Sequence, residues 1–495
     1  MVTDYFKKLY SLENDSYTPY GVSGLMLASS FFQSQWETVG FSLFSFINHI
    51  WLSGNLDSLL NRTLIASIPK IILPNVILPS QTSFIQGKNI IDSIIIAQEI
   101  MHSMRKRARK KGWMAIKVDL ENAFDKLRWD FIKDTLKDVG LPSRMISAIM
   151  QCITTPTMQI LCKGKPLRSF SPQRGIRQGD RCLHISSSCT IQLDRGGIPL
   201  SHLFFADDLV LFSETFAAQI AVIQRVLNQF CLSSGQKVSH DKTQIYFSKD
   251  FPTYVSNVIC QLLGFHCTES LGRYLGVPLI TGRVTTRTYN YIIEKLQQKL
   301  SGWKSKCLSL AGRITLAKSV LSSVPPYTTQ STMLSTSCCS DIEKIIRKFI
   351  WGYSDDHRGI NLVNWKDLCQ PVNRGGCGII SLEEQNKAFL SKLAYKIIAQ
   401  PDLLWIRVLK AKYHVPEGSI HDISKKGCSY FWRNLTKIWQ DTMKHVKWLP
   451  GNGRHIKFWS DFWVGHLGPL KFLSSDDIDE QVLKNPISDF MNSQG

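Results

Sequence analysis

Three aspartates in this chain stand where a fold could gather negative charge. Asp119 follows Trp113-Met114-Ala115-Ile116-Lys117-Val118, whose large apolar residues at Met114, Ile116 and Val118 alternate as in a strand. Asp207 and Asp208 sit between two apolar runs, Leu203-Phe204-Phe205 and Leu209-Val210-Leu211-Phe212, a pattern that predicts a hairpin with both carboxylates at its tip. If these strands are neighbours in one antiparallel sheet, the carboxylates meet. Like charges about 4 Å apart repel by roughly 4 kcal/mol at a protein-like dielectric, so such a cluster requires protons or a cation. Mg2+ is the natural cation, because it takes hard oxygen ligands and keeps positions open for substrate phosphates. Two such ions can clamp the attacking and leaving oxygens of a phosphoryl transfer. The predicted reaction is therefore nucleotidyl transfer, with a two-metal nuclease as another use of the same groups. A single Asp after a strand more often caps a helix or takes a turn; only the three together point to metal chemistry.

The elements that must position these groups follow from the pattern. Ile90 to Met104 has helical spacing, after the loop formers Pro74, Pro79 and Gly87. A helix from about Lys126 to Val139 carries Leu127, Phe131 and Leu136 inward and is closed by Gly140 and Pro142. Phe216, Ile220, Ile223, Leu227 and Phe230 predict another helix, stopped at Ser233-Ser234-Gly235, and a strand follows around Gln244 to Phe247. Beyond about residue 285 the pattern is largely helical. From about Lys410 the chain is rich in Trp, including Trp432, Trp439, Trp448, Trp459 and Trp463, with no period strong enough to assign; core packing is the expected use of these rings.

Bulk properties narrow the partners. Lys and Arg number 59 against 39 Asp and Glu in 495 residues, a formal charge of +20 that attracts a polyanion, and nucleic acid is the obvious one. The apolar stretches Phe41 to Leu52 and Ile90 to Ala97 are too short to span a bilayer, so no membrane partner is expected. The start lacks the apolar core of a secretory signal, which predicts an intracellular protein, nuclear or cytoplasmic. The 13 cysteines show no Cys-x-x-Cys spacing and read as reduced thiols. Cys428, His445, His455 and His466 lack close ligand spacing, and no zinc is expected.

Phe205-Ala206-Asp207-Asp208 in an apolar hairpin, preceded by Asp119-x-x-x-Ala123-Phe124-Asp125, resembles the two signature motifs of reverse transcriptases, and most closely those of the LINE-type non-LTR retrotransposons abundant in plant genomes. The resemblance continues in order through Phe84-Ile85-Gln86-Gly87, Gly175-Ile176-Arg177-Gln178-Gly179-Asp180, Ser234-Gly235-Gln236-Lys237, Tyr274-Leu275-Gly276-Val277-Pro278-Leu279 and Gly375-Gly376-Cys377-Gly378. It implies an RNA-directed DNA polymerase acting on an RNA template, a DNA primer and deoxynucleoside triphosphates with two Mg2+ ions, for which Mn2+ can substitute. It further implies an α+β right-hand fold of fingers, palm and thumb with a mostly helical C-terminal extension. The implied layout is a connector over 1–65, fingers and palm over 66–250, palm end and helical thumb over 251–340, and the Trp-rich extension over 341–495.

On the same resemblance Asp119 and Asp207 are the principal metal ligands and Asp208 supports them. Phe124 is the steric gate beneath the sugar, and Gln178 and Gly179 form the turn against the incoming nucleotide and template. Lys237 or Lys242 donates the proton to the leaving pyrophosphate. Tyr274 to Leu279 grips the primer end, and Arg105-Lys106-Arg107-Ala108-Arg109-Lys110-Lys111 contacts phosphates.

The chain departs from the family in two places. Only 207 − 180 = 27 positions separate Asp180 from Asp207. There the family has Pro-Leu-Ser-Pro and a long apolar helix beneath the hairpin; burying six large apolar side chains of such a helix supplies on the order of 10 kcal/mol. The family's Arg-Pro-Ile-Ser-Leu block is also absent before Pro79-Ser80-Gln81. These internal deletions predict loss of polymerase activity, so a catalytically dead nucleic-acid-binding remnant is the alternative. No counterpart of an endonuclease or ribonuclease H domain is recognisable.

Overall fold

The computed structural model describes residues 88–490 except 107–111, 160, 163–164, 177–190, 193–197, 206–207, 281, 302–307, 354–359, 416–426, 450, 452, 455, 465–466, 476 and 480. The chain divides into two compact units: the first contains 103–192 and 199–275, and the second contains 94–102 and everything from 276.

The first unit is built on a five-stranded sheet. The first helix among the described residues, α1 (Ile90–Lys106), leads into β1 (Trp113–Val118), which lies at the centre of the sheet. The hairpin strands are β2 (His202–Phe205) and β3 (Asp208–Glu214); β4 (Gln244–Phe247) and β5 (His266–Cys267) complete the order β2-β3-β1-β4-β5. All neighbours are antiparallel except the β4–β5 pair. The alternation read in the sequence sets the register: Met114, Ile116 and Val118 share one face with Phe204, Leu209, Leu211 and Ile245. That face is covered by α4 (Ala217–Ser234) and α5 (Thr253–Leu263), through Ile220, Ile223, Leu227 and Phe230 on the first and Ile259 and Leu263 on the second. Two further helices, α2 (Trp129–Asp138) and α3 (Ser143–Thr154), precede these in the chain and pack on each other around Leu127, Ile132, Leu136, Met145, Ile146 and Ile149.

Ile116 is fully buried at the middle of β1, opposite Leu211 on one side and Ile245 on the other. Ile116→Ala leaves a cavity that neither neighbouring strand can close, and a loss of about 2–5 kcal/mol is expected in urea denaturation.

The second unit is helical, as the pattern beyond residue 285 predicts. Its principal helices are α6 (Asn290–Ser301), α7 (Leu310–Leu316), α8 (Thr336–Ile350), α9 (Leu382–Ala399), α10 (Leu404–Tyr413) and α11 (Tyr430–Met443). A π-turn, Ala317–Leu321, continues α7. The stretch left unassigned in the Trp-rich region contains α11, on which Phe431, Trp432, Leu435, Ile438 and Trp439 are buried. Their steps of one, three, three and one follow a helical face; the interspersed Lys and Asn residues obscure it in a linear reading. Among the described residues no helix is long and apolar enough to cross a membrane.

Candidate active site

The register of β1 and β3 decides where the aspartates lie. The last paired residues are Val118 and Leu209, and one further step along the same register puts Asp119 opposite Asp208, which pairs with Phe205 at the start of β3. Two aspartates thus lie at the paired ends of adjacent strands, both partly exposed. The strands that carry Asp119 and Asp208 are antiparallel neighbours, as the sequence pattern predicts. Asp207, Gln178 and Gly179 lie outside the described residues, and among the described residues no group of three metal-binding side chains occurs. Carboxylates on neighbouring strand ends offer the hard oxygen donors that a cation such as Mg2+ takes.

The segment after α4 holds Asp119 by its backbone. Its N–H donates to Thr243 Oγ1 at 3.2 Å and its carbonyl accepts from Ser239 N at 2.8 Å. Leu120 bridges Val238, and Glu121 N donates to the Lys237 carbonyl at 2.9 Å. Lys237 is therefore brought alongside the Asp119 turn, whereas Lys242 is exposed.

The turn bearing Phe124 is fixed from three sides. Asn122 adopts a positive φ of 49°, a region Asn tolerates better than most residues, and its carbonyl accepts from Asp125 N and Lys126 N. Ala123 O accepts from the buried Gln236 Nε2 at 2.5 Å. Phe124 O accepts from Ile176 N, and Leu127 O from Gly175 N. Close approach here demands glycine. A Cβ on Gly175 would lie 2.6 Å from the Asp125 carbonyl oxygen, and one on Gly235, the left-handed cap of α4, 2.9 Å from that of Lys126. The helix expected from Lys126 starts only at Trp129 because these tertiary bonds claim the backbone of 121–128. The Phe124 ring is half-buried against the Leu127–Ile176 cluster.

Sequence reasoning missed three supporting groups: Thr243, Gln236, and the pair Lys126–Glu121 at 2.7 Å, in which Lys126 is only 3% exposed. Gln236 lies inside a motif already singled out, but nothing in a linear reading shows that its amide crosses to Ala123. Gln236→Ala leaves that carbonyl unpaired, so a loss of about 1–3 kcal/mol is expected, together with faster amide exchange at Asp125 and Lys126 than in the unaltered chain.

Residues 52–279 match the family model of the reverse transcriptase (RNA-dependent DNA polymerase), so this stretch of the chain is a reverse transcriptase domain. The chain's relatives include proteins of transposable and retrotransposable elements. It is 26% identical over 242 residues to the Pol polyprotein of the type-2 retrotransposable element R2DM of Drosophila melanogaster, covering 44% of this chain and 22% of that one. It is 36% identical over 193 residues to an Arabidopsis thaliana protein named for a ribonuclease H, covering 38% of this chain and 31% of that one. An uncharacterised mitochondrial protein of Arabidopsis thaliana is 30% identical over 149 residues, 30% of this chain and 96% of its own length. The chain thus spans less than a third of the protein named for a ribonuclease H. Reverse transcriptases use divalent metals, a nucleic-acid template and nucleotide substrates.

Proposed function

We propose that this chain is an RNA-directed DNA polymerase of a non-LTR retrotransposon that works by two-metal nucleotidyl transfer. The observation that carries the reading is the β1–β3 register, which sets Asp119 opposite Asp208 in a domain of this family. On this reading Asp119, Asp207 and Asp208 hold Mg2+, which when bound supplies charge stabilisation to the transferring phosphoryl group. Phe124 lies under the sugar of the incoming nucleotide and excludes a 2′-hydroxyl. Gln178 and Gly179 face the nucleotide and template. Lys237, drawn to the Asp119 turn by its backbone, is the better placed proton donor to pyrophosphate than the exposed Lys242. The sheet of the first unit corresponds to the palm, and residues 251–340 to the palm end and helical thumb. The excess of cations attracts primer and template.

The short spacing between Asp180 and Asp207 favours a second reading, a remnant that binds nucleic acid without copying it. Primer extension separates the two. In a version carrying the family's apolar helix before the hairpin, Phe124→Val should raise ribonucleotide use relative to deoxynucleotide by about 10- to 100-fold, the scale of a steric discrimination in a pocket. An unchanged ratio removes Phe124 from the gate. Cleavage of nucleic acid without added nucleotides would favour the nuclease chemistry instead.

A further inference from the structure

Core packing, the expected use of the Trp-rich end, holds for Trp432 and Trp439 on α11, which are buried. Beyond α11 it does not hold. Trp448, Phe458, Trp459, Phe462 and Trp463 are only half-buried, and Phe472 and Phe490 are 75% and 44% exposed. Among the described residues of 447–490 the buried apolar side chains are Ile456 and Ile487, too small a core to use up the rings around it.

The rings are nevertheless held in place. Ile487 N donates to the Ile456 carbonyl at 2.8 Å and Phe458 N to that of Asn485 at 3.1 Å, which lays 456–458 against 485–487. A turn follows, closed by Lys457 N on Asp461 Oδ2 at 2.8 Å and by Asp461 N on the Lys457 carbonyl at 3.2 Å. The Phe458 ring packs against those of Trp459, Trp463 and Phe490, at 5.1, 5.4 and 4.4 Å between centroids. Two outer segments are bonded to this turn: Trp448 N donates to the Phe462 carbonyl at 2.8 Å, and Lys471 N to that of Trp459 at 3.0 Å. Each segment brings a cation to a ring, Lys447 Nζ 5.0 Å from the centre of Phe462 and Lys471 Nζ 5.1 Å from that of Phe472. Charge here is one-sided. Between 447 and 474 the chain has Lys447, Arg454, Lys457 and Lys471 against Asp461, which is itself buried; the next acidic residues, Asp476 and Asp477, lie beyond.

We propose that residues 447–472 are a binding surface for single-stranded nucleic acid, with bases stacked on Phe472 and Phe462 and backbone phosphates against Lys471 and Lys447. An accessible ring takes the face of any unpaired base, whereas in a duplex those faces are already stacked on one another. Cations beside the rings serve the phosphates that flank each base. The surface lies beyond residues 52–279, which match the reverse transcriptase family. It serves a polymerase and a remnant that does not copy alike, so its test does not depend on catalysis.

The test is photocrosslinking of the full chain to a single-stranded RNA carrying 5-iodouracil, followed by peptide mapping. Links to Phe472 or Phe462 are expected, competed by unlabelled single-stranded RNA and not by a blunt duplex. In Phe472→Ala the affinity read from the yield of the Phe462 link should fall by about 5- to 100-fold, the scale of one lost base–ring stack. Lys447→Gln and Lys471→Gln should each reduce the salt slope of that affinity by about 0.7. Phe472 and both lysines are exposed, so these variants should keep the urea midpoint of the unaltered chain. Links confined to other segments, competition by duplex as strong as by single strand, or an unchanged yield in Phe472→Ala overturns the proposal. The link map of the unaltered chain decides the matter even where a variant fails to fold.

Discussion

In the version with the apolar helix before the hairpin restored, Asp119→Asn should lower deoxynucleotide incorporation by about a thousandfold, the equivalent of the several kcal/mol of charge stabilisation that a correctly held metal ion contributes. Asparagine has nearly the shape of aspartate but offers one neutral oxygen, so it weakens the hold on a hard cation without enlarging or emptying the position. The substitution separates chemistry from folding unusually well at this residue. The bonds that anchor Asp119, from its N–H to Thr243 Oγ1 and from Ser239 N to its carbonyl, are made by its backbone and survive the change. An unchanged urea midpoint together with the lost activity is therefore expected. Retained activity would show that the strand-end carboxylate opposite Asp208 is not a ligand.

The second large effect concerns stability and lies far from the aspartates. Glu99 on α1 is completely buried within the second unit, and its carboxylate accepts hydrogen bonds from Lys412 Nζ at 2.6 Å, Tyr413 Oη at 2.7 Å and Ser429 Oγ. Lys412 also donates to the Glu99 carbonyl at 2.8 Å, and the Tyr413 ring stacks on Trp432 at 4.5 Å. The C-terminal helices α10 and α11 are thus bound to residues 94–102 through one carboxylate. Lys412→Met removes the counter-charge and leaves Glu99 buried alone, which should cost about 3–5 kcal/mol, whereas pairing it with Glu99→Leu should recover most of the loss. A single substitution costing no more than an exposed ion pair would contradict this.

The pH dependence has a definite sign. Burial pushes the Glu99 carboxyl up, but the Lys412 charge and the hydrogen bonds from Lys412, Ser429 and Tyr413 outweigh it, and the group is held below its ordinary value. Its contribution is therefore present above the ordinary carboxylate range and is lost as pH falls through the lower folded-state value. In Lys412→Met burial acts without that charge, so the carboxyl moves up and the variant loses stability as pH rises through the carboxylate range. The gap between variant and unaltered chain should narrow on acidification, as read from urea midpoints at neutral and acid pH.

What the sequence revealed depended on how local its cause was. The alternation in β1, the two runs of the hairpin and the Gly235 stop of α4 are each written in a few consecutive residues, and each appears in the structure where the pattern puts it. The start of α2 does not, because Gly175, Ser234 and Gln236 capture the backbone of 121–128 from positions 48 to 113 residues away, to which no local propensity refers. Strand β5 was equally silent, being two exposed residues recruited by the edge of β4 rather than by an apolar period. The Glu99–Lys412 pair joins residues 313 positions apart, and nothing in either neighbourhood announces the other. For the site, residue types and order indicated Asp119 and Asp208, while the groups that hold their turn, Thr243 and Gln236, became visible only through tertiary hydrogen bonds.

The most direct test of the polymerase reading is deoxynucleotide incorporation on a primed RNA template with Mg2+, made with the unaltered chain, with a version in which the apolar helix before the hairpin is restored, and with the Asp207→Ala and Asp208→Ala double substitution of each. The restored version should extend the primer in a template-dependent way, the unaltered chain much more weakly, and neither double substitution at all. Failure of the restored version to extend the primer, or extension that survives the double substitution, would contradict the polymerase reading.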